Sequence, residues 1–385
     1  LQKFFPHEYR QLFSIAYFRL VYQSAIRQMP VYYHHSYLKE YFGSLSLTDK
    51  HISGVLQKVG QDRGAIVNMM KQFIKHDDMV LLDMTDVISH SKKMDLPHKG
   101  YNRRMDFHSQ MNLLFIFSLR QQLPAYYRLV PGNIKDVKAF SLSIKESGLE
   151  KVVLIADKGF YSRSNIEMLD QEGISYIIPL RRNSPLIDYT PTRTVSKKNW
   201  HGYFKYQQRY IWYYTITIEK RKLHLFLDEE LRLEEMRDYL NRIEKFPDEY
   251  SAEMFEEKQF EFGTIAILAQ IENNSAKEVF IHYKSRSNIE VMFDAYKNIL
   301  EADRTYMQNE HTLEGWLFVN YLAMQWYYLI YNKLKQTNLI KNHSVQSLLT
   351  QIRQIKKIYI DDKSAITEYT KATQTLIDKL KIPIT

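Results

Sequence analysis

The sequence contains no cysteine. This absence excludes disulfide staples, zinc–thiolate sites and catalysis by a thiol, and it fits a reducing compartment. No stretch reaches the run of about 20 apolar residues that a membrane-spanning helix needs, because Asn320 and Gln325 interrupt the most apolar region. The chain also lacks the GxxxxGK pattern of phosphate-binding loops, which argues against nucleotide hydrolysis. Since the first residues carry charge and no small-residue cleavage site, we expect no signal peptide and no membrane partner.

Basic side chains outnumber acidic ones. Lys and Arg number 53 and Asp and Glu number 44, which gives a formal net charge of +9. An excess of this size favours a polyanionic partner such as nucleic acid. The chain has 385 residues, 45% of them apolar, which predicts a globular protein of two or three domains.

The pattern of apolar residues changes along the chain. Residues 1–77 show helical spacing, which predicts a helical N-terminal domain and a candidate for DNA binding. Residues 78–180 alternate between strand-like and helix-like segments, with three strands before the first helix, which predicts a mixed α/β sheet. Strands are predicted over 78–89, 111–119, 124–134, 151–160 and 174–180. The wholly apolar run before Asp157 is typical of a central strand covered on both faces.

The rest of the chain is predicted to contain three further parts. Residues 181–265 alternate in strand fashion and then become charged and helical, which predicts a mostly β insertion. Residues 266–335 return to the core with one strand and then one or two helices over 275–300. Residues 336–385 are predicted to form a helical C-terminal tail.

Two carboxylates follow apolar strand segments. Asp83 is predicted at the carboxyl end of the first strand and Asp157 at the carboxyl end of the buried strand. Ligands of open α/β sheets bind at this edge, so both acids would face one crevice if the strands are neighbours. Either acid could instead be a turn residue, and Asp86 is a rival for the role of Asp83. Carboxylates crowded together with a third, Glu290, would repel unless divalent cations such as Mg²⁺ bound them.

A third group of polar residues occupies one predicted helix. Tyr283, Arg286, Glu290 and Lys297 are separated by three, four and seven positions. At about 100° per residue they fall within roughly 60° of one another, beside an apolar face. A solvated helix face with ion pairs four residues apart would give the same pattern.

Together these segments resemble the DDE transposases of the insertion-sequence-four-like group. The resemblance covers about residues 78–330 and includes LLDMT, IADKGFYS and YKSRSNIEVMFDAYK, in that order. That group has a Tyr-Arg-Glu-Lys signature with two, three and six intervening residues, which Tyr283, Arg286, Glu290 and Lys297 match. Lys158 stands where many relatives have Arg, so the charge is kept.

The resemblance implies a fold and a chemistry. The fold would be an RNase H-like mixed-sheet core with a β-rich insertion between the second Asp and the Glu. Asp83, Asp157 and Glu290 would be catalytic and would bind Mg²⁺ or Mn²⁺ as two ions. They would hydrolyse phosphodiester bonds at the element ends and transfer the freed 3′-hydroxyl to target DNA. Tyr283, Arg286 and Lys297 would hold the terminal DNA.

The resemblance also implies partners and a location. The partner would be double-stranded DNA, bound by a homodimer in a synaptic complex, in the nucleoid of a prokaryotic cytoplasm. The basic loop 181–200 is a further candidate for DNA backbone contact, although a plain exposed loop fits as well. Two other functions stay open: a catalytically silent DNA-binding descendant of a transposase, and a structure-specific nuclease without a joining step.

Overall fold

The computed structural model describes residues 1–99, 109–132, 136–360 and 363–384. Within it the chain divides into two compact units. The first unit comprises Leu1–Ile74, Met84–Ile134 and Val291–Thr385, and the second comprises Lys75–Asp83 and Lys135–Glu290. No helix in the described ranges combines the length and hydrophobicity needed to cross a bilayer.

The described chain contains both helices and strands. The helices are α1 Tyr9–Tyr22, α2 Met29–His34, α3 Tyr37–Phe42, α4 Asp49–Gln61, α5 Arg63–Met70, α6 Asp136–Ser147, α7 Arg163–Gln171, α8 Glu229–Lys245, α9 Ala252–Lys258, α10 Ala276–Lys284, α11 Ser287–Asp294, α12 Glu310–Gln336, α13 Val345–Arg353 and α14 Lys371–Leu380. The strands are β1 Met79–Ser89, β2 His98–Lys99, β3 Ser109–Ser118, β4 Leu123–Pro131, β5 Val153–Ala156, β6 Ser175–Pro179, β7 Gly202–Tyr206, β8 Arg209–Ile218, β9 Arg221–Asp228, β10 Thr264–Gln270, β11 Arg304–Thr305, β12 Lys357–Ile360 and β13 Lys363–Ile366. The protein is therefore a mixed α/β protein.

The second unit is built on a mixed sheet. Its strand order is β1–β5–β6–β10–β9–β8–β7. Strands β1, β5 and β6 are parallel, whereas β10 is antiparallel to both β6 and β9. Consecutive residues of β5 such as Leu154, Ile155 and Ala156 are fully buried, so both faces of this strand are covered, as its apolar run predicts.

The strands predicted as an insertion extend this same sheet. Strand β9 pairs with β10 along its length, from Thr264 opposite Leu227 to Ala269 opposite Lys222. On one sheet face Phe204 and Phe226 pack against Phe280 of α10, with ring centroids 5.4 and 5.0 Å away. Aromatic contacts of this kind add to the burial energy of the rings. The β7–β9 strands thus fix the position of α10.

The first unit is organised around α12. This long helix is largely buried, and α1 and α4 pack against it. Helices α4 and α12 approach closely at two glycines: a Cβ on Gly60 would collide with the carbonyl oxygen of His311, and a Cβ on Gly315 would collide with that of Leu56. In the same unit β3 and β4 form an antiparallel hairpin, and β11 pairs in parallel with the end of β1.

Two features of the first unit bear on the predicted domains. Helices α1–α5 all precede β1, as the helical spacing of residues 1–77 predicts. The tail, in contrast, is not entirely helical, because β12 and β13 pair antiparallel between α13 and α14. The run Ile358–Ile360, with β-branched and aromatic side chains, favours a strand over a helix. The domain boundaries drawn from the sequence stay predictions.

The glycine contact in the first unit yields a testable prediction. Gly60→Ala should lower the free energy of unfolding by about 1–3 kcal/mol, because the added methyl group must force α4 and α12 apart. Gly54→Ala is the matched control, since it lies on the same helix with no atom within 4 Å of its Cβ. Alanine there should be neutral or stabilising by up to about 1 kcal/mol. Urea unfolding measures both, and equal effects would contradict the close helix packing.

Candidate active site

Two acids are neighbours because of the register of β1 and β5. The paired residues run from Met79 opposite Val153 to Leu82 opposite Ala156, so Asp83 and Asp157 follow at the end of the same ladder. One prediction needs correction: Asp83 lies within β1 rather than at its carboxyl end. The strand itself covers Met79–Ser89, close to the predicted 78–89, and its last residues pair with β11.

The signature segment forms two helices, as one of the two alternatives predicts, so the expectation that all four signature residues share one face of a single helix is wrong. Helix α10 begins with a capping box, in which Ser275 and Glu278 satisfy each other's backbone N–H groups. It ends at Lys284, where the Ser285 hydroxyl donates to the carbonyl of His282 (2.6 Å). Such side-chain bonds compete with the helical pattern. Tyr283 therefore lies on α10 and Glu290 on α11, and Arg286 lies in the turn between them.

Arg286 joins the three acids. Its Nη1 atom lies 2.7 Å from Asp83 Oδ2, and its Nη2 atom lies 2.6 Å from Glu290 Oε1 and 4.0 Å from Asp157 Oδ1. All four residues belong to the second unit. The Arg286 and Asp83 side chains are only 16% and 12% exposed, whereas that of Glu290 is 49% exposed. One mostly buried guanidinium thus lies among carboxylates that differ in exposure: Asp83 is mostly buried, whereas Glu290 is open to solvent.

Charge and burial act in opposite directions at this cluster. Burial opposes the charge on Arg286, but Asp157 and Asp83 outweigh it, so the pKa of the guanidinium is raised. Burial raises the pKa of the Tyr283 phenol, although the neighbouring Arg286 charge partly offsets this. At neutral pH Arg286 is therefore a cation and Tyr283 a neutral hydrogen-bond donor.

A cavity of about 590 Å³ lies beside the cluster in the second unit. Asp157, Tyr283 and Arg286 are among the residues that line it, together with apolar side chains such as Phe226 and Phe280. Its lining therefore combines charged and apolar side chains. Clefts with a few convergent polar groups are the usual form of ligand sites.

Lys297 has a different acidic partner. It belongs to a π-helical turn, Ala295–Ile299, that directly follows α11, and its Nζ atom lies 2.9 Å from Asp86 Oδ1. Both residues belong to the first unit. Asp86, which the sequence offers as a rival of Asp83, is thus the ion-pair partner of a signature residue. In the sequence, only the position of Asp86, three residues after Asp83, suggested a role for it. Its ion pair with Lys297 depends on the fold and could not be predicted from the sequence.

Buried hydrogen bonds anchor the end of the π-helical turn. Arg19 of α1 is 4% exposed and donates to the carbonyl of Leu300, which follows the turn, and to Asn320 Oδ1 at 3.0 Å. Burial lowers the pKa of Arg19 to about 10, so it remains protonated at neutral pH. π-Helical turns are rare and are frequent at functional sites. Here the turn fixes the backbone that carries Lys297.

Cationic side chains of the basic loop 181–200 form ion pairs with acidic residues of the protein itself. Arg182 pairs with Glu235 at 2.9 Å and donates to the carbonyl of Thr264. Lys197 pairs with Glu229. These contacts leave fewer charges for a phosphate backbone than the sequence suggests, and DNA contact by this loop stays a prediction.

The comparisons with known proteins point to one family. Residues 75–326, more than half of the chain, match the family model described as Transposase DDE domain. The chain belongs to this transposase family. The matched range includes Asp83, Asp157, Glu290 and the other signature residues, so the DDE transposase domain contains the whole candidate site. No curated protein matches the sequence.

Two solved structures resemble this DDE transposase distantly. A cryo-EM structure of a piggyBac transposase synaptic complex with hairpin DNA aligns with a TM-score of 0.49 at 9% identity, over 97% of this chain and 75% of that chain. A Mos1 transposase paired-end complex with the left transposon end aligns with a TM-score of 0.19 at 13% identity, over 40% of this chain and 53% of that chain. The assignment to the family therefore depends on the sequence match.

The buried position of Arg286 yields a testable prediction. Arg286→Gln should lower the free energy of unfolding by about 1–3 kcal/mol, because mostly buried Asp83 loses a charged partner. Arg163→Gln is the control: Arg163 pairs with Glu167 at 2.8 Å in the same unit, but its side chain is 92% exposed. Breaking that pair should cost less than about 0.5 kcal/mol. Urea unfolding measures both variants, and equal losses would show that the cluster acts as a surface ion pair.

Proposed function

We propose that this chain is a metal-dependent cut-and-paste transposase of the insertion-sequence-four-like group, with an RNase H-like catalytic core. It would hydrolyse phosphodiester bonds at the ends of its element and transfer the freed 3′-hydroxyl to target DNA. Family membership supports the class of enzyme. The Tyr-Arg-Glu-Lys spacing supports the group.

The observation that carries the proposal is the convergence of three carboxylates on one guanidinium. Asp83 and Glu290 are 207 positions apart in the chain, yet both accept hydrogen bonds from Arg286. Asp157 lies at the edge of the same cluster. Holding three acids together is electrostatically costly, and such clusters of charged groups are often found at functional sites.

The donor atoms suit a hard divalent cation. Asp83, Asp157 and Glu290 offer carboxylate oxygens, which are the ligands that Mg²⁺ and Mn²⁺ prefer. When bound, two such ions supply activation of a water or 3′-hydroxyl and stabilisation of the leaving oxygen. The oxygens nearest the centre accept from Arg286, so a cation and the guanidinium would compete for them.

The remaining signature residues would bind DNA. Arg286 can grip a phosphate with its planar fork, Lys297 can neutralise one, and Tyr283 can donate from its phenol. The net charge of +9 favours this partner. We propose that two copies of the chain hold two duplex ends in a synaptic complex, on the nucleoid of a prokaryotic cytoplasm.

One observation favours a second candidate, a DNA-binding protein without catalysis. Within the described ranges, no group of three or more His, Cys, Asp or Glu side chains is arranged to hold a metal ion. A protein that had lost catalysis could retain Arg286 as a permanent partner of the acids. The presence of all three acids supports the enzyme instead.

A cleavage assay tests the proposed function. The DNA on either side of the gene is searched for terminal inverted repeats, and labelled duplexes of these ends are incubated with Mg²⁺ or Mn²⁺. We expect cleavage by the wild type, its loss in Asp83→Ala and Asp157→Ala, and retained binding of the ends by both variants. Asp248→Ala is the matched control, because Asp248 is exposed in the same unit and outside the cluster.

The outcomes separate the candidates. Binding of the ends without cleavage by the wild type would support the catalytically silent protein. If the Asp157→Ala variant cleaves at the wild-type rate, Asp157 takes no part in the mechanism. Cleavage without joining of pre-cleaved ends to target DNA would show a structure-specific nuclease.

A further inference from the structure

A second polar surface lies at the end of β1 in the first unit. Strand β1 ends at Ser89, which pairs with Thr305 of β11, and the chain then turns at His90. Asp86, the ion-pair partner of Lys297, lies on the same strand. At about 3.3 Å per residue, His90 lies about 13 Å beyond Asp86.

Two exposed rings are stacked at this position. The rings of His90 and Tyr306 are nearly parallel, with centroids 4.7 Å apart and an interplanar angle of 12°. Tyr306 is 69% exposed, and His90 is exposed as well. Stacking of this kind favours the arrangement in which both rings lie side by side at the surface.

The turn beside the rings is fixed by side-chain hydrogen bonds. Gln308 Oε1 accepts from the backbone N–H of Lys92 (3.1 Å) and from the hydroxyl of Ser91 (3.4 Å). Ser91 Oγ accepts from the backbone N–H groups of Lys93 and Met94, each at 3.2 Å. These bonds involve the backbone of Lys92 and Lys93 and not their ammonium groups. Both residues are exposed to solvent.

Two lysines supply the positive charge of the turn. Lys92 and Lys93 are both exposed, whereas Arg304 pairs with Asp303 at 3.6 Å. The acids Asp95 and Glu310 lie next to segments 89–94 and 304–309. We infer that a β1-end patch, formed by His90, Lys92, Lys93 and Tyr306, contacts the phosphate backbone of duplex DNA. Ammonium groups act as point charges on phosphates, and a tyrosine hydroxyl donates to phosphate oxygens.

Contacts with phosphates do not depend on the base sequence. The patch would therefore increase the affinity for DNA and orient the duplex, without adding sequence specificity. The inference rests on the proposed function only in that DNA is the ligand; it does not require cleavage.

Salt-dependent binding tests the patch. The affinity of the full chain for a labelled duplex of about 30 base pairs is measured by fluorescence anisotropy over a range of salt concentrations. Each phosphate contact contributes about 0.9 to the slope of log affinity against log salt, so Lys92→Ala/Lys93→Ala should reduce the slope by about 2. The backbone bonds of the turn survive these substitutions, and circular dichroism verifies the fold of each variant.

The control removes the same charge elsewhere in the same unit. Lys371→Ala/Lys379→Ala changes two exposed lysines of α14 and should leave the slope near that of the wild type. An unchanged slope in the Lys92/Lys93 variant, or an equal reduction in the control, overturns the patch whether or not the protein cleaves DNA. Failure of cleavage with a reduced slope overturns the proposed catalysis and leaves the patch supported. Absence of any duplex binding by the wild type overturns both.

Discussion

The guanidinium of Arg286 is the contact on which the candidate site depends. Three carboxylates near one another at the edge of an apolar sheet repel, and each loses hydration. A single cation placed between them offsets part of that cost, and its two-pronged geometry bonds Asp83 and Glu290 at once. The position of Arg286 in a turn, rather than inside a helix, lets the side chain reach strand and helix together.

The sheet of the second unit supplies the rigid frame for this contact. Parallel pairing of β1 with β5 sets Asp83 beside Asp157, and strands β6 and β10 extend the sheet on the other side of β5. The β7–β9 strands pack their aromatic side chains on α10, which leads directly into the turn of Arg286. The predicted insertion therefore has a structural consequence for the site, because it holds the helix from which Tyr283 projects.

Much of the candidate site could be predicted from local sequence. The apolar run before Asp157 predicted a buried strand, and the strand is buried on both faces. The alternative of a solvated helix face predicted an ion pair between Arg286 and Glu290, four residues apart, and this pair is present, although Arg286 lies in the turn before α11. The pairing of the end of β1 with β11 was beyond local patterns, because the two segments are more than 200 residues apart. The β12–β13 hairpin interrupts the predicted helical tail, and the β-branched and aromatic run Ile358–Ile360 was the local signal for it.

By itself the sequence determined which segments are apolar strands, which acids follow them, and which four polar residues share a signature. These properties are local, because side-chain periodicity and spacing act over a few residues. Only the tertiary structure decided that Arg286 is the common partner of three acids and that Asp86, not Asp83, pairs with Lys297. The pairings of Arg286 with Asp83 and of Lys297 with Asp86 join residues about 200 positions apart. They depend on strand register and on where a helix breaks, which are settled by packing of the whole chain.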